Sequence, residues 1–248
     1  MHFDYAQSGF EIRPSIAEAH LEAWRIIGEP GNWWRAEDRV AIAQESRNAR
    51  SCTLCRDRKA ALSPFATIEG AHHQTTNLPP VVVDVVHRLV TDASRLTRTW
   101  LDGLDEQGVT DGHYVELLGV VVSLVSVDAF HRALSLPLEP LPQPQAGDPS
   151  GYRPAGARDH GAWVPSVAPA DLADSEADLY GGAPEMGNVI KAMSLVPDSV
   201  RLLTILGEQH YMAPNDVADP TSNAGRAISR PQIELLAGRV SSLSDCFY

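Results

Sequence analysis

An all-α fold is predicted for this 248-residue chain, arranged as two related helical units joined by a Pro-rich connector. Three observations predict it. Apolar residues recur at helical spacing behind start and stop signals through most of residues 14–136, and again over 172–248. Between them, residues 137–171 are rich in Pro, Gly and Ala and have no periodicity. Finally, VELLGVVVSLVSVDAFH (Val115–His131) is echoed by IELLAGRVSSLSDCFY (Ile233–Tyr248), as expected of a repeated unit. The units are therefore set at 1–136 and 172–248, with 137–171 as linker.

The elements follow in order. Ser15 is placed as the cap of a first helix whose Ile16, Ala19, Ala23, Ile26 and Ile27 share a face, and Gly28 and Pro30 end it. A second helix is expected from Ala36 to Arg50, with its alanines and isoleucine inward and Glu37, Arg39, Glu45 and Arg47 outward. A third runs from Cys52 towards Leu62 and stops near Pro64. Ala66–Asn77, with His72 and His73, reads as loop. Pro80 opens a helix through Val81, Val85 and Leu89, as proline does at a first turn. Trp100, Leu101 and Leu104 mark another, closed by Gly108. The Val-rich run Tyr114–Leu134 favours strand by composition. Its length favours a buried helix, because strands seldom exceed about ten residues, and Thr110 or Asp111 can cap it. The linker reads as a semi-extended strap anchored by Trp163. Beyond it, Asn188–Leu195 is short and apolar and breaks at Pro197, and Ser199–Tyr211 is amphipathic. Ser229 starts a last helix with Pro231 in its first turn and Gln232 completing a capping box.

Composition narrows the function classes. Acids outnumber bases 32 to 20, for a formal charge of -12, which repels phosphate backbones and argues against nucleic-acid partners. The first residues, MHFDYAQSGF, lack the basic and apolar regions of a secretion signal. The longest apolar stretch, Leu117–Val127, is too short to span a bilayer. A cytoplasmic protein without membrane partners is expected. Its three cysteines, in a reducing compartment, do not build a disulfide scaffold. No Gly-rich phosphate loop, G-x-S-x-G elbow or H-E-x-x-H occurs, and no cofactor is expected.

The chemistry lies in two sulfur-bearing segments. At the tail, Glu234 precedes Cys246 by twelve residues, and Ser244-Asp245 reads as a cap. A helix ending near Leu243 and a new one starting at Asp245 would put Cys246 in a first turn, where unpaired N–H groups favour a thiolate. Glu234 would then approach from the preceding helix as proton acceptor. This Glu-x11-Cys pattern, with NVIKAMSLVPDSV and SRPQIELLAGRVSSLSDC before it, resembles the alkylhydroperoxidase-D-like (carboxymuconolactone decarboxylase-like) family over 185–248. Residues 36–136 resemble a diverged copy. The redox members of that family carry Glu-x11-Cys-x2-Cys-x3-His. The resemblance implies an oligomeric helical bundle that reduces hydroperoxides with electrons from a thiol donor. It implies a resolving role for Cys246 and general-base catalysis by Glu234. The sequence stops one residue before the attacking position, so the resemblance implies a tail site that is cut short and inactive or impaired, with a selenocysteine codon misread as stop the favoured account.

The second segment, Cys52-Thr-Leu-Cys55, is complete, with Ser51 as cap and Arg56, Arg58 and Lys59 supplying positive charge that lowers a thiol pKa. Three readings stand for it: a redox pair, half a zinc site completed by His72 and His73, or two buried thiols acting as small hydrophobes. In the redox reading, Glu45 or Glu37 can serve as base, or Glu116 and His131 can fold over the pair; His131 falls opposite the missing motif position in the repeat alignment. The plainer reading of Glu116, Asp128 and His131 is a set of caps, ion pairs and hydrogen-bonded core groups. Two further functions stand beside the peroxidase: a non-catalytic oligomerisation module and a zinc-stabilised helical protein.

Overall fold

The structure, a computed structural model, describes residues 3–63, 68–244 and 246. It is all-α among those residues, with one isolated bridge between Arg158 and Ser166 and no strand. Ten α-helices appear: α1 (Pro14–Ile27), α2 (Ala36–Ala49), α3 (Thr53–Ala60), α4 (Pro80–Thr91), α5 (Arg98–Asp102), α6 (Asp111–Ala133), α7 (Asn188–Lys191), α8 (Pro197–His210), α9 (Pro214–Ala218) and α10 (Arg230–Leu243).

Several terminators act as the sequence predicts. Thr110 caps α6 by accepting the His113 N–H. Ser229 and Gln232 form the capping box of α10. Pro80 starts α4. Other starts differ. Arg13 is the N-cap of α1, and Pro14 occupies its first turn, where its missing N–H costs nothing. The Ser15 hydroxyl instead donates to Gln209 Oε1 at 2.7 Å, tying α1 to α8. Cys52 is the N-cap of α3 rather than its first residue. Pro197 opens α8 rather than merely ending the segment before it. The stop near Pro64 and the helix start at Asp245 lie outside the described residues.

The Val-rich run is α6, and it is the central helix. Leu117, Val120, Leu124 and Val127 are almost wholly buried against α1, α2, α4 and α8. By length and composition α6 could cross a bilayer, and it is the one such helix among the described residues. Here most of its apolar surface is covered by protein, with Leu118, Val122 and Val125 half-buried. Burying side chains of this size is worth roughly 1.5–3 kcal/mol each. The same core takes in Leu195, Val196, Leu202 and Leu206, so residues from 172–248 complete a core begun in 1–136. Where α6 meets α8, Gly119 lets the backbones approach: a Cβ there would lie 2.3 Å from Ser199 Oγ.

Two charged residues expected on the outer face of α2 are buried. Arg39 donates through Nη1 to Glu116 on α6 and through Nη2 to the Ile26 carbonyl. Glu116 also accepts the backbone N–H groups of Asn32 and Trp33, at 3.0 and 2.7 Å. Arg39 Nε is buried without a hydrogen-bond partner among the described residues, while these donors satisfy the Glu116 carboxylate. Gly31 is fixed by it, since a Cβ would fall 1.6 Å from Glu116 Oε1. One turn or more along α2, Arg47 pairs with buried Asp128 of α6 at 2.8 Å. The second buried residue, Glu45, belongs to the site described below.

The linker is an extended strap. Its backbone donates from Gln145, Ser150 and Gly151 to the carbonyls of Gly28, Gly31 and Asn32. The indole of Trp24 donates to Pro140 O at 2.8 Å. Trp163 is not the anchor expected of it, being 46% exposed; Val164, Ser166 and Val167 are the buried residues of that stretch.

His131 occupies a buried polar chain on the α1–α8 side of α6. Its Nδ1 donates to the Pro137 carbonyl at 2.7 Å, because that oxygen can only accept. Its Nε2 meets the Tyr5 hydroxyl at 3.2 Å, that hydroxyl also meets His20 Nδ1, and His20 Nε2 meets His210 Nε2 at 2.6 Å. Phe130 stacks on the His210 ring. Burial, followed by the neighbouring His210 and His131, lowers the His20 pKa from 6.5 to about 3. The unfolded chain therefore binds a proton at His20 between pH 6.5 and about 3 that the folded chain does not. Stability falls as pH falls through that window, by about 2 kcal/mol at pH 5. Urea midpoints at pH 7.5 and pH 5 measure this, and the loss should shrink in His20→Phe.

Candidate functional site

Helix α2 ends at Ala49, and the chain turns within three residues into α3. Cys52 sits at the N-cap of α3 and Cys55 in its first turn, so both sulfurs lie at the end where N–H groups are unpaired. Cys52 and Cys55 are each 3% exposed and join Leu54 and Ile68 in a small apolar cluster. Two histidines close over them. His72 comes from the 68–79 loop, and its Nδ1 lies 3.5 Å from each sulfur. His87 comes from the buried face of α4, and its Nδ1 lies 3.2 Å from Cys55 Sγ. The two rings are 4.3 Å apart at their centroids.

The outward nitrogen of each ring rests on a carboxylate. His72 Nε2 faces Asp84 Oδ1 at 2.9 Å, and Asp84 also accepts from Arg58 and Arg88 at 2.8 and 2.6 Å. His87 Nε2 faces Glu45 Oε2 at 3.1 Å. Glu45 is fully buried; it accepts from Asn48 Nδ2 at 2.9 Å and from the Thr75 N–H at 2.6 Å. Two parallel lines result: sulfur, His72, Asp84; and sulfur, His87, Glu45.

Electrostatics follow from these contacts. Burial opposes ionisation of Cys52, but hydrogen bonds from the Cys55 backbone, His72, the His73 backbone and Cys55 prevail and lower its pKa to about 7. Burial likewise opposes the charge on His72; Asp84 and the two sulfurs outweigh it and raise its pKa to about 10. His87 moves down, chiefly by burial, against the pull of Glu45. Burial works against the Glu45 charge too, yet Asn48, His87, Thr75 and Thr76 hold its pKa at about 2. The site thus holds one charged and one neutral imidazole, each on an ionised carboxylate. A cleft of about 280 Å³ reaches the two cysteines between Val90 and the basic side chains Arg50, Arg56 and Lys59.

The remaining sequence candidates lie elsewhere. Glu116 is spent on Arg39 and the 31–33 turn, and His131 on Tyr5 and Pro137, so neither folds over the cysteine pair. His73 contributes its carbonyl to Asn48 rather than an imidazole to the sulfurs. At the tail, Glu234 lies one turn into α10, accepting from Tyr211 Oη at 2.7 Å and Arg230 Nε at 2.6 Å. Exposed Cys246 follows the other end of that helix, with its N–H on Ser241 O. Leu243 lies nine residues beyond Glu234, so at 1.5 Å per residue α10 carries the chain roughly 13 Å along its axis before Cys246. The expected Glu234–Cys246 approach is not made, because α10 runs unbroken from Glu234 to Leu243 and Cys246 lies past its C-terminal end.

Sequence reasoning missed His87 and Asp84 and placed Glu45 facing outward. The available signal was a histidine within VVVDVVHRLV, on the face of α4 that the valines bury. Comparison with family profiles, curated proteins and solved structures finds no match to this chain. Glu45→Ala should cost roughly 3 kcal/mol, since it strands the buried His87 Nε2 and removes the acceptor that holds the Thr75 N–H. A urea midpoint within experimental error of the parent would contradict that assignment.

Proposed function

We propose that this chain is a thiol-dependent oxidoreductase that reduces hydroperoxides at the Cys52–Cys55 pair, with electrons returned by a thiol donor. The observation that carries the reading is the line from Cys55 Sγ through His87 to buried Glu45. It supplies a neutral base 3.2 Å from a thiol and a carboxylate that orients that base, the arrangement nucleophilic sulfur chemistry needs. A basic-rimmed cleft is lined by both cysteines, beside the pair where a hydroperoxide would react. The resemblance to peroxide-reducing helical bundles supports the same chemistry, moved from the tail to the front pair.

In this reading the Cys52 thiolate attacks the terminal peroxide oxygen. The O–O bond breaks, and the alcohol leaves with a proton from charged His72. Cys52 is then a sulfenic acid. Cys55 passes its proton to His87 and attacks the Cys52 sulfur; the displaced hydroxide leaves as water, and a disulfide remains. Two thiols and one hydroperoxide give one disulfide, one alcohol and one water. A dithiol donor then reduces the disulfide by exchange. Glu45 holds the His87 ring and stabilises its charged form.

Peroxide consumption with dithiothreitol as donor tests the proposal. Cys52→Ser and Cys55→Ser should each abolish turnover, Cys246→Ser should retain it, and His87→Ala should lose about 10²-fold or more. Turnover that survives both front-pair substitutions, or that disappears with Cys246→Ser, would remove the reaction from this site.

A further inference from the structure

The four groups around the dithiol have a geometry that proton relay alone does not require. The ligating atoms of Cys52, Cys55, His72 and His87 all lie within 4.8 Å of one another. The sulfur–nitrogen separations are 3.5 Å from His72 Nδ1 to each sulfur and 3.2 Å from His87 Nδ1 to Cys55 Sγ. For a tetrahedral zinc ion with Zn–S of about 2.3 Å and Zn–N of about 2.05 Å, the sulfur–nitrogen edge is about 3.6 Å. Both histidines present Nδ1 to the sulfurs, and both seat Nε2 on a carboxylate, Asp84 for one and Glu45 for the other. Carboxylates so placed fix the tautomer and turn the lone pair towards a metal.

From this we infer that Cys52, Cys55, His72 and His87 form a zinc-binding centre with the spacing Cys-x2-Cys-x16-His-x14-His. The donor set is two thiolates and two imidazoles, which selects Zn²⁺ among the common divalent ions by softness and tetrahedral geometry. Two thiolates cancel the ion's charge, so the filled centre is neutral, as its burial demands. The ligands come from three places: the start of α3, the 68–79 loop and α4. Closing the centre ties all three to α2 through Glu45.

The inference concerns the same sulfurs as the proposed reaction and sets a condition on it. Zinc and the disulfide are alternative states of one pair. A zinc-loaded chain has no free thiolate to meet peroxide. Once the ion has left, the freed pair reduces one hydroperoxide: the two thiols give up two electrons and two protons, the O–O bond breaks, and disulfide, alcohol and water result.

Metal content and Co²⁺ substitution of the reduced chain test the site without reference to turnover. One equivalent of zinc per chain is expected, and Co²⁺ should give the intense visible bands of tetrahedral coordination with thiolate charge transfer. His72→Ala and Cys55→Ser should abolish both signals. Asp84→Asn, which keeps the ligands, should weaken affinity about 10- to 100-fold. A folded parent chain that binds less than about a tenth of an equivalent, or gives the weak bands of octahedral Co²⁺, overturns the inference. The two readings fail separately: stoichiometric zinc without peroxide turnover by the metal-free chain removes the reaction and leaves the centre, whereas turnover without metal uptake does the reverse.

Discussion

One buried carboxylate organises this end of the molecule. Glu45 is fully enclosed and ionised, and it remains so because every lone pair it offers is taken: by Asn48 on its own helix, by the Thr75 backbone and hydroxyl in the following loop, and by His87 on α4. A bare carboxylate at that depth would cost several kcal/mol. Its partners therefore have little freedom. Thr75 must come in, which places the 68–79 loop and with it His72. His87 must turn its other nitrogen to the sulfurs. The cysteine pair acquires two imidazoles because one acid on α2 requires donors.

The same logic recurs along α2. Arg39 and Arg47 reach Glu116 and Asp128 on the central helix, so three charged residues spaced along one helix meet buried partners on its neighbours. This explains why an α-helix of low overall hydrophobicity lies in the middle of the bundle. Apolar contacts through Ile42 and Ala43 supply part of the adhesion. The ion pairs supply register, since each is satisfied at only one sliding position of α2 against α6. A slip of one turn would leave Arg39 and Glu116 unpaired in the interior, at a cost of about 3–5 kcal/mol.

The helices were legible where periodicity and caps coincide: α1, α4, α8 and α10 are amphipathic and punctuated by Pro, Gly, Ser or Thr. The long Val-rich α6 was assigned correctly on length, against its strand-like composition. The buried charges of α2 were not legible, because a charged residue read against a 3.6-residue period is assigned to the outside. Nothing local in AEDRVAIAQESRNA says that Arg39 and Glu45 have partners 77 and 42 residues away. His87 failed for the opposite reason: amid valines it reads as a hydrogen-bonded core residue. The tail misled because spacing along a sequence was taken as proximity in space. Twelve residues do not bring Glu234 to Cys246 when the nine residues after Glu234 continue α10 to Leu243 and the turn back is not made before Ser244.

Redox and metal chemistry place different demands on the same four side chains, and the carboxylates serve both. For thiol attack, a sulfur must lose its proton in a buried place, and the surroundings must store it; His72 on Asp84 and His87 on Glu45 are two such stores. For metal binding, the protons must leave altogether, and the ion replaces them. Both states keep the carboxylates charged and the Nε2 hydrogens in place, so neither needs the second layer of contacts to rearrange. Only the Nδ1 and sulfur protons change hands. A scaffold that holds Nε2 and frees Nδ1 is therefore equally prepared for a proton and for an ion; under the two proposals, which of the two it holds would decide whether the sulfurs can meet an oxidant.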